Sequence, residues 1–200
     1  MYSSIAIASH QLEHRSKIAI LNLLQQNRSK PYLNSTNDSY RVDETYIKVK
    51  GKDKYLYRAV DSTGQTIDFL LTAKRDAAAA KRFFRKALSS PGNPVPRVIN
   101  VDKNPAFPPA VEALKMEGML PRRVRLRQCK YLNNIVEQDH RTVKKRVWLA
   151  KGYGSFVTAW RTLQGIEAVN MIRKGRARWV AKGDAIAQAS FISALFGIAA

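Results

Sequence analysis

The alternation of apolar and polar positions becomes regular at Tyr40. "YRVDETYIKVK", residues 40 to 50, has the β-branched and aromatic content of a strand. "GKD" reads as a turn into a second strand, "KYLYRAV", and "DSTGQ", with Gly64, turns that strand into a third, "TIDFLLTA". Three strands this close in sequence predict an antiparallel meander. The period then changes. "RDAAAAKRFFRKALSS" is alanine-rich and spaces Ala80, Phe83, Phe84, Ala87 and Leu88 along one helical face. The loop "PGNPVP" ends it, "RVINV" is a short apolar strand that stops at Asp102, and "PPAVEALKMEGM" is a helix with prolines near its start. "RVRLRQC" alternates like a strand. "NNIVEQDH", residues 133 to 140, opens another helix, and helical segments run from Tyr153 to the end. The order βββαβαβα plus C-terminal helices predicts an α/β fold with a mixed sheet.

Residues 1–34 follow a different pattern. "IAIASHQLEHRSKIAILNLLQQ" suits a helix or two, and "NRSKPYLNSTNDS" breaks it. The expected organisation is a divergent N-terminal segment over 1–34, partly helical or mobile, and one domain with C-terminal helices over 35–200. The most apolar stretch, Ala185 to Ala200, is shorter than the roughly 20 residues a membrane-spanning helix needs. It reads as a packing helix, through Ile186, Phe191, Ile192, Leu195 and Phe196.

Composition changes this picture through charge. The chain has 35 Lys+Arg against 15 Asp+Glu, a formal net charge of +20. Such an excess favours a polyanionic partner, most often nucleic acid. The sequence offers no clean basic amphipathic helix for a membrane surface. A single cysteine, Cys129, excludes an internal disulfide and a multi-cysteine zinc site and fits a reducing cytosol. No secretory signal is evident.

Three carboxylates break local rules. Asp43 sits inside a strand, where aspartate is disfavoured, and shares a face with Thr45, Ile47 and Val49. Asp102 ends the short apolar strand, and Glu137 opens the helix upstream of "HRTVKKRVW". A βββαβ order lets the fourth strand lie beside the first and bring these acids together. Convergent acids repel and cannot all stay ionised without a cation. Their hard oxygens suit Mg²⁺ or Mn²⁺, and paired ions suit phosphoryl transfer on nucleic acid. The plainer alternative is that Asp43 is a hydrogen-bonded structural residue and Glu137 pairs with Arg141 at i+4.

The stretches "NDSYRVDETYIKVKGKDKYLYRAVDS", "AAKRFFRKAL", "RVINVDKNPAFP", "KYLNNIVEQDHRTVKKRV" and "RTLQGIEAVNMIRKG" together resemble the DDE transposases of the insertion-sequence-six family. The likeness runs from about Thr36 to the end of the chain. It implies a ribonuclease H-like fold, a five-stranded mixed sheet with helices on both faces. It implies that Asp43, Asp102 and Glu137 are the catalytic, metal-holding triad, with 58 residues between the aspartates and 34 between Asp102 and Glu137. Lys144, two turns past Glu137, matches the basic residue such enzymes set against DNA phosphate. The resemblance further implies two divalent ions, hydrolysis at a transposon end, attack of the freed 3′ hydroxyl on target DNA, and a homo-oligomer. It implies no small-molecule substrate and no membrane, and a prokaryotic cytoplasm with nucleoid association. Asp53, Val101 and "VWLAKGYGSF" depart from the family pattern without touching the triad. Residues 1–34 do not match the family's N-terminal helix-turn-helix region, so the expectation is a truncated or shortened copy. A catalytically inactive remnant that binds DNA non-specifically is the alternative to an active transposase.

Two further patterns carry competing readings. "HQLEH", His10 to His14, matches the H-x-x-E-H spacing of some zinc proteases, but the pattern is short and without family context, which favours a plain surface helix. Arg122, Arg123, Arg125, Arg127 and Lys130, with Arg141, Lys144 and Lys145 downstream, are the candidate DNA contacts. The first group also fits the wet face of an edge strand.

Overall fold

The computed structural model describes residues 33–90, 92–129, 134–149, 151–178 and 180–195. The expectations for the N-terminal segment up to residue 32, for "HQLEH", for Lys130 and for Phe196 lie outside the described residues. The chain folds as two units, one of Ser35–Leu163 and one that joins Leu33 and Asn34 to the chain from Gln164 onward.

In the first unit, β1 (Ser39–Val49), β2 (Lys52–Val60) and β3 (Thr66–Thr72) form the expected meander. The turn from β1 to β2 is shorter than "GKD". Lys50 and Gly51 take φ of 49° and 72°, and Val49 pairs directly with Lys52. Two central residues at positive φ make the tight hairpin whose twist matches its strands, so Lys52 and Asp53 join the ladder. Asp61 shapes the next turn, accepting from the backbone N–H groups of Thr63 and Gln65, each at 2.9 Å. Then follow α1 (Ala77–Ser89), β4 (Val98–Val101), α2 (Phe107–Met116), β5 (Arg125–Gln128) and α3 (Asn134–Leu149). The sheet order is β3-β2-β1-β4-β5, with β1 parallel to β4 and β4 parallel to β5. The fourth strand does lie beside the first.

The two faces of this sheet are covered differently. Tyr40, Val42, Tyr57, Ala59, Ile99 and Val101 pack with Phe83, Phe84, Phe107 and Leu114 of α1 and α2 into one buried core. α1 starts where the Asp76 carboxylate accepts from the Ala79 N–H at 2.7 Å, and Pro108 and Pro109 open α2, where missing N–H groups cost nothing. On the other face α3 lies against β1 and β2. Its buried positions, Val136, His140, Val143 and Val147, recur at helical spacing. Gly64 permits this approach: at φ +84° a Cβ would come within 3.2 Å of Ile135 Cγ2.

After α3 the chain returns along β1. Tyr153 bridges Val49, with Lys50 N to Tyr153 O at 2.8 Å and Tyr153 N to Lys48 O at 3.1 Å. The stretch that departs from the family pattern therefore still closes the far half of β1.

α4 (Phe156–Arg173) crosses the boundary between the units, and α5 (Ala185–Leu195) belongs to the second. There Ile172, Ala177 and Val180 form a small core against which Phe191 and Ile192 pack. Ile186, expected on the packing face, is instead 82% exposed. This helix is apolar nearly all round, so hydropathy alone does not select its inner face. No helix among the described residues is long and apolar enough to cross a membrane.

Candidate active site

β1 and β4 pair in parallel through Ser39–Val98, Tyr40–Ile99 and Arg41–Asn100. Two residues further along that register, Asp43 and Asp102 stand level. Asp43, Glu44 and Asp102 each offer a carboxylate oxygen within 4.8 Å of the others. Among the described residues this is the group of acids close enough to share a cation, and all three are partly buried. Glu137 is not one of its members. It stands half-buried on the first turn of α3, one turn before His140.

His140 ties that helix to the acids. Its Nδ1 lies 3.3 Å from Asp43 Oδ2, and its side chain is 5% exposed. Burial pulls the imidazole below the ordinary histidine range. The hydrogen bond to Asp43 opposes this, while the nearby Arg58 and Lys144 charges add to it. Arg58 sits directly across from Asp43 on β2, is fully buried, and reaches Asp139 Oδ2 of α3 at 3.3 Å. A buried cation, a buried imidazole and two aspartates therefore surround the inner end of α3.

Glu44 points to the other side of β1. Its carboxylate, 3% exposed, is tied to Arg75, whose Nε donates to Oε1 at 2.7 Å, and Asn104 Nδ2 donates to the same oxygen at 2.6 Å. Oε2 is buried with no hydrogen-bond partner. Burial raises this carboxyl above its ordinary value, and repulsion from Asp102 adds to the rise; the bonds from Arg75 and Asn104 oppose both. Arg75 thus offsets the repulsion between Glu44 and Asp102 only in part, a condition that an added cation relieves.

The candidate DNA contacts divide into two places. Arg141, Lys144 and Lys145 are exposed on α3, and Lys144 Nζ stands 5.2 Å from the ring centroid of Tyr46, two residues beyond Glu44 on β1. Arg122, Arg123, Arg125 and Arg127 are exposed at the edge of the sheet, on β5 and the turn before it. β5 runs parallel to β4, and Arg125 is level with Val98. Arg122 and Arg123 thus lie at the end of the sheet away from Asp102, roughly 13 Å or more back along the strand direction. Arg127, level with Asn100, is nearer.

Sequence reasoning singles out Asp43 and Asp102 and passes over their neighbours. Glu44 carries the same signal as Asp43, a carboxylate inside a strand, but period two puts it on the opposite face. Arg58 is a charge inside "KYLYRAV" and is as visible. Arg75 and Asn104 give no local sign, because only the fold brings their loops to Glu44.

A family model described as a DDE domain, that of IS240-type transposases, matches residues 37–176. The transposase for insertion sequence-like element IS431mec of Staphylococcus aureus is 38% identical over 145 residues, which are 70% of this chain and 59% of that protein. The transposase for insertion sequence element IS257 in transposon Tn4003, also from S. aureus, matches to the same extent. This chain spans about three fifths of the length of these curated relatives. Among solved structures, the HTLV-2 integrase catalytic core domain in complex with magnesium (dimeric form) superposes with a TM-score of 0.53 at 19% identity, over 73% of this chain and 96% of that one. The catalytic core domain of BIV integrase gives 0.51 at 15%, over 68% and 84%. At these identities the likeness concerns the fold, which is ribonuclease H-like.

Proposed function

The chain belongs to the DDE transposases of the insertion-sequence-six family, and from that premise we propose that it cuts and joins DNA strands with divalent cations held at Asp43, Asp102 and Glu137. The observation that carries this reading is the parallel pairing of β1 and β4, which sets Asp43 level with Asp102. Part of the donor set fits a hard cation: Asp43 and Asp102 offer carboxylate oxygens within 4.8 Å of each other, beside Glu44. Mg²⁺ or Mn²⁺, held there as two ions, would supply an activated water or hydroxyl and charge for the leaving oxygen. The magnesium complex of the HTLV-2 integrase core, which shares the fold, supports that choice of ion.

The chain's own groups have separate tasks. His140 orients the Asp43 carboxylate through its Nδ1 contact. Glu137, one turn earlier on the same helix, is the third acid of the proposal. Lys144, Lys145 and Arg141 hold backbone phosphates beside the acids, with Arg127 next along the sheet. Arg122, Arg123, Arg125 and Lys130 contact DNA further from the reacting phosphate. In the first step a water oxygen bonds to phosphorus and the 3′ oxygen of the transposon end leaves, taking a proton. In the second, that 3′ hydroxyl attacks a target phosphodiester, loses its proton and releases a target 3′ oxygen. The partners are transposon-end and target DNA, the working form is a homo-oligomer, and the setting is the prokaryotic nucleoid.

The test incubates the full chain with labelled terminal-repeat duplex and Mg²⁺ or Mn²⁺. Ion-dependent nicks and joined products that vanish in Asp102→Ala support the reading. DNA binding without either product, with both ions, would leave the non-catalytic remnant as the better account.

A further inference from the structure

We propose that Glu44 is a positioning residue for Asp102, fastening the loop after β4 to β1 through Asn104. This inference rests on the cation-binding reading of Asp43 and Asp102.

The contacts form a continuous relay. Asn104 bonds backward, its N–H donating to Asp102 Oδ1 at 2.9 Å. Its side-chain oxygen accepts from the Ala106 N–H at 2.9 Å. Its remaining group, the Nδ2 amide, donates to Glu44 Oε1 at 2.6 Å. Asn104 is 8% exposed, so no water competes freely for these bonds. Arg75, from the loop before α1, donates to the same Glu44 oxygen. One carboxylate thus joins three segments: β1, the loop that presents Asp102, and the loop that leads into α1.

The arrangement meets a need that the sheet creates. β4 is four residues long and ends at Val101, so Asp102 stands beyond the last ladder bond. A metal-binding carboxylate on an unladdered residue must be held by other means, because productive geometry tolerates little looseness. Asp43 is held by His140 from the side of α3. Glu44 holds Asp102 from the opposite side. The adjacent residues Asp43 and Glu44 therefore divide the work by the period of the strand, one pointing to each face.

Outer residues of this kind set metal affinity without touching the ion. The test is Mn²⁺ binding to the full chain, read by electron paramagnetic resonance without DNA, with thermal melting to verify folding. Wild type binds Mn²⁺ and Asp102→Asn does not. Glu44→Met removes the acceptor at similar length and weakens Mn²⁺ affinity about 10–100-fold. Asn104→Ala, which cuts the same bond from the other end, weakens it similarly and serves if Glu44→Met does not fold. Glu44→Gln keeps an oxygen that accepts from both Asn104 and Arg75 while it removes the charge, and retains affinity close to wild type. Wild-type affinity in Glu44→Met or Asn104→Ala overturns the inference. A Glu44→Gln variant as weak as Glu44→Met also overturns it, because the charge and not the hydrogen bond would then matter and Glu44 would be a ligand in its own right. Absence of Mn²⁺ binding by wild type, or binding unchanged in Asp102→Asn, removes the cation reading itself and this inference with it.

Discussion

Tyr57 and Arg58 are neighbours on β2, both fully buried, and they look into different surroundings. Tyr57 stacks on Phe83 at 5.9 Å between centroids and meets the edge of Phe107 at 6.1 Å. Burial pushes its phenol up to about 12. Arg58, one residue on, lies under α3 with Asp139, opposite Asp43 and beside His140. One face of the sheet is an aromatic core sealed by α1 and α2, with the buried Glu44 carboxylate level with Tyr57 and tied to Arg75. The other carries buried charge. Apolar packing on the first face is non-directional and stabilises the fold. Ionic groups on the second are expensive to bury and stabilise little unless each is paired. The charged face is thus where the fold gives up stability for chemistry, and Asp43 stands on that side.

That contrast is broken most directly from the apolar side. Phe83→Ala is expected to cost about 4 kcal/mol in denaturant unfolding, since a large buried ring leaves a cavity. Mn²⁺ affinity of the folded fraction should stay unchanged. A comparable loss of metal affinity would show that the two faces are not separable. From the charged side, Asp139→Ala is expected to cost roughly 3 kcal/mol by depriving buried Arg58 of this carboxylate. Replacing both residues, Arg58→Met with Asp139→Leu, should cost less than the single change. If the double variant is the less stable of the two, the pair stabilises the fold outright and the contrast weakens. The smallest effect on stability belongs to Lys144→Ala, expected within about 0.5 kcal/mol of wild type because the residue is exposed. The same change should lower the salt slope of DNA binding by about 1. An unaltered slope would place the DNA path away from the Tyr46 edge of β1.

The same contrast explains what sequence can and cannot deliver. The meander, the short apolar strand, both crossover helices and the approach of Asp43 to Asp102 follow from period, turn residues and the parallel fourth strand. All of these are local patterns or consequences of topology. The hairpin turn departs from its expected length because Lys50, a residue with a side chain, takes the positive φ usually left to glycine or asparagine. Ile186 reads as an inward residue because hydropathy cannot rank the sides of an all-apolar helix. The aspartates stand out because acids in apolar strands are conspicuous. Arg75 and Asn104 do not, because polar loop residues are ordinary until the fold sets them against a buried carboxylate. The spread of the arginine cluster along β5 is likewise invisible, since alternation gives a face and says nothing of which end of the strand lies near Asp102.

The most direct test of the central claim is anomalous diffraction from crystals of the full chain grown with Mn²⁺. The account predicts anomalous peaks at direct-coordination distance from the carboxylates of Asp43 and Asp102, with Glu137 completing the set and His140 still bonded to Asp43. Those peaks should disappear in Asp102→Asn crystals grown the same way. Peaks only at other acids, or a site that survives Asp102→Asn, would contradict it.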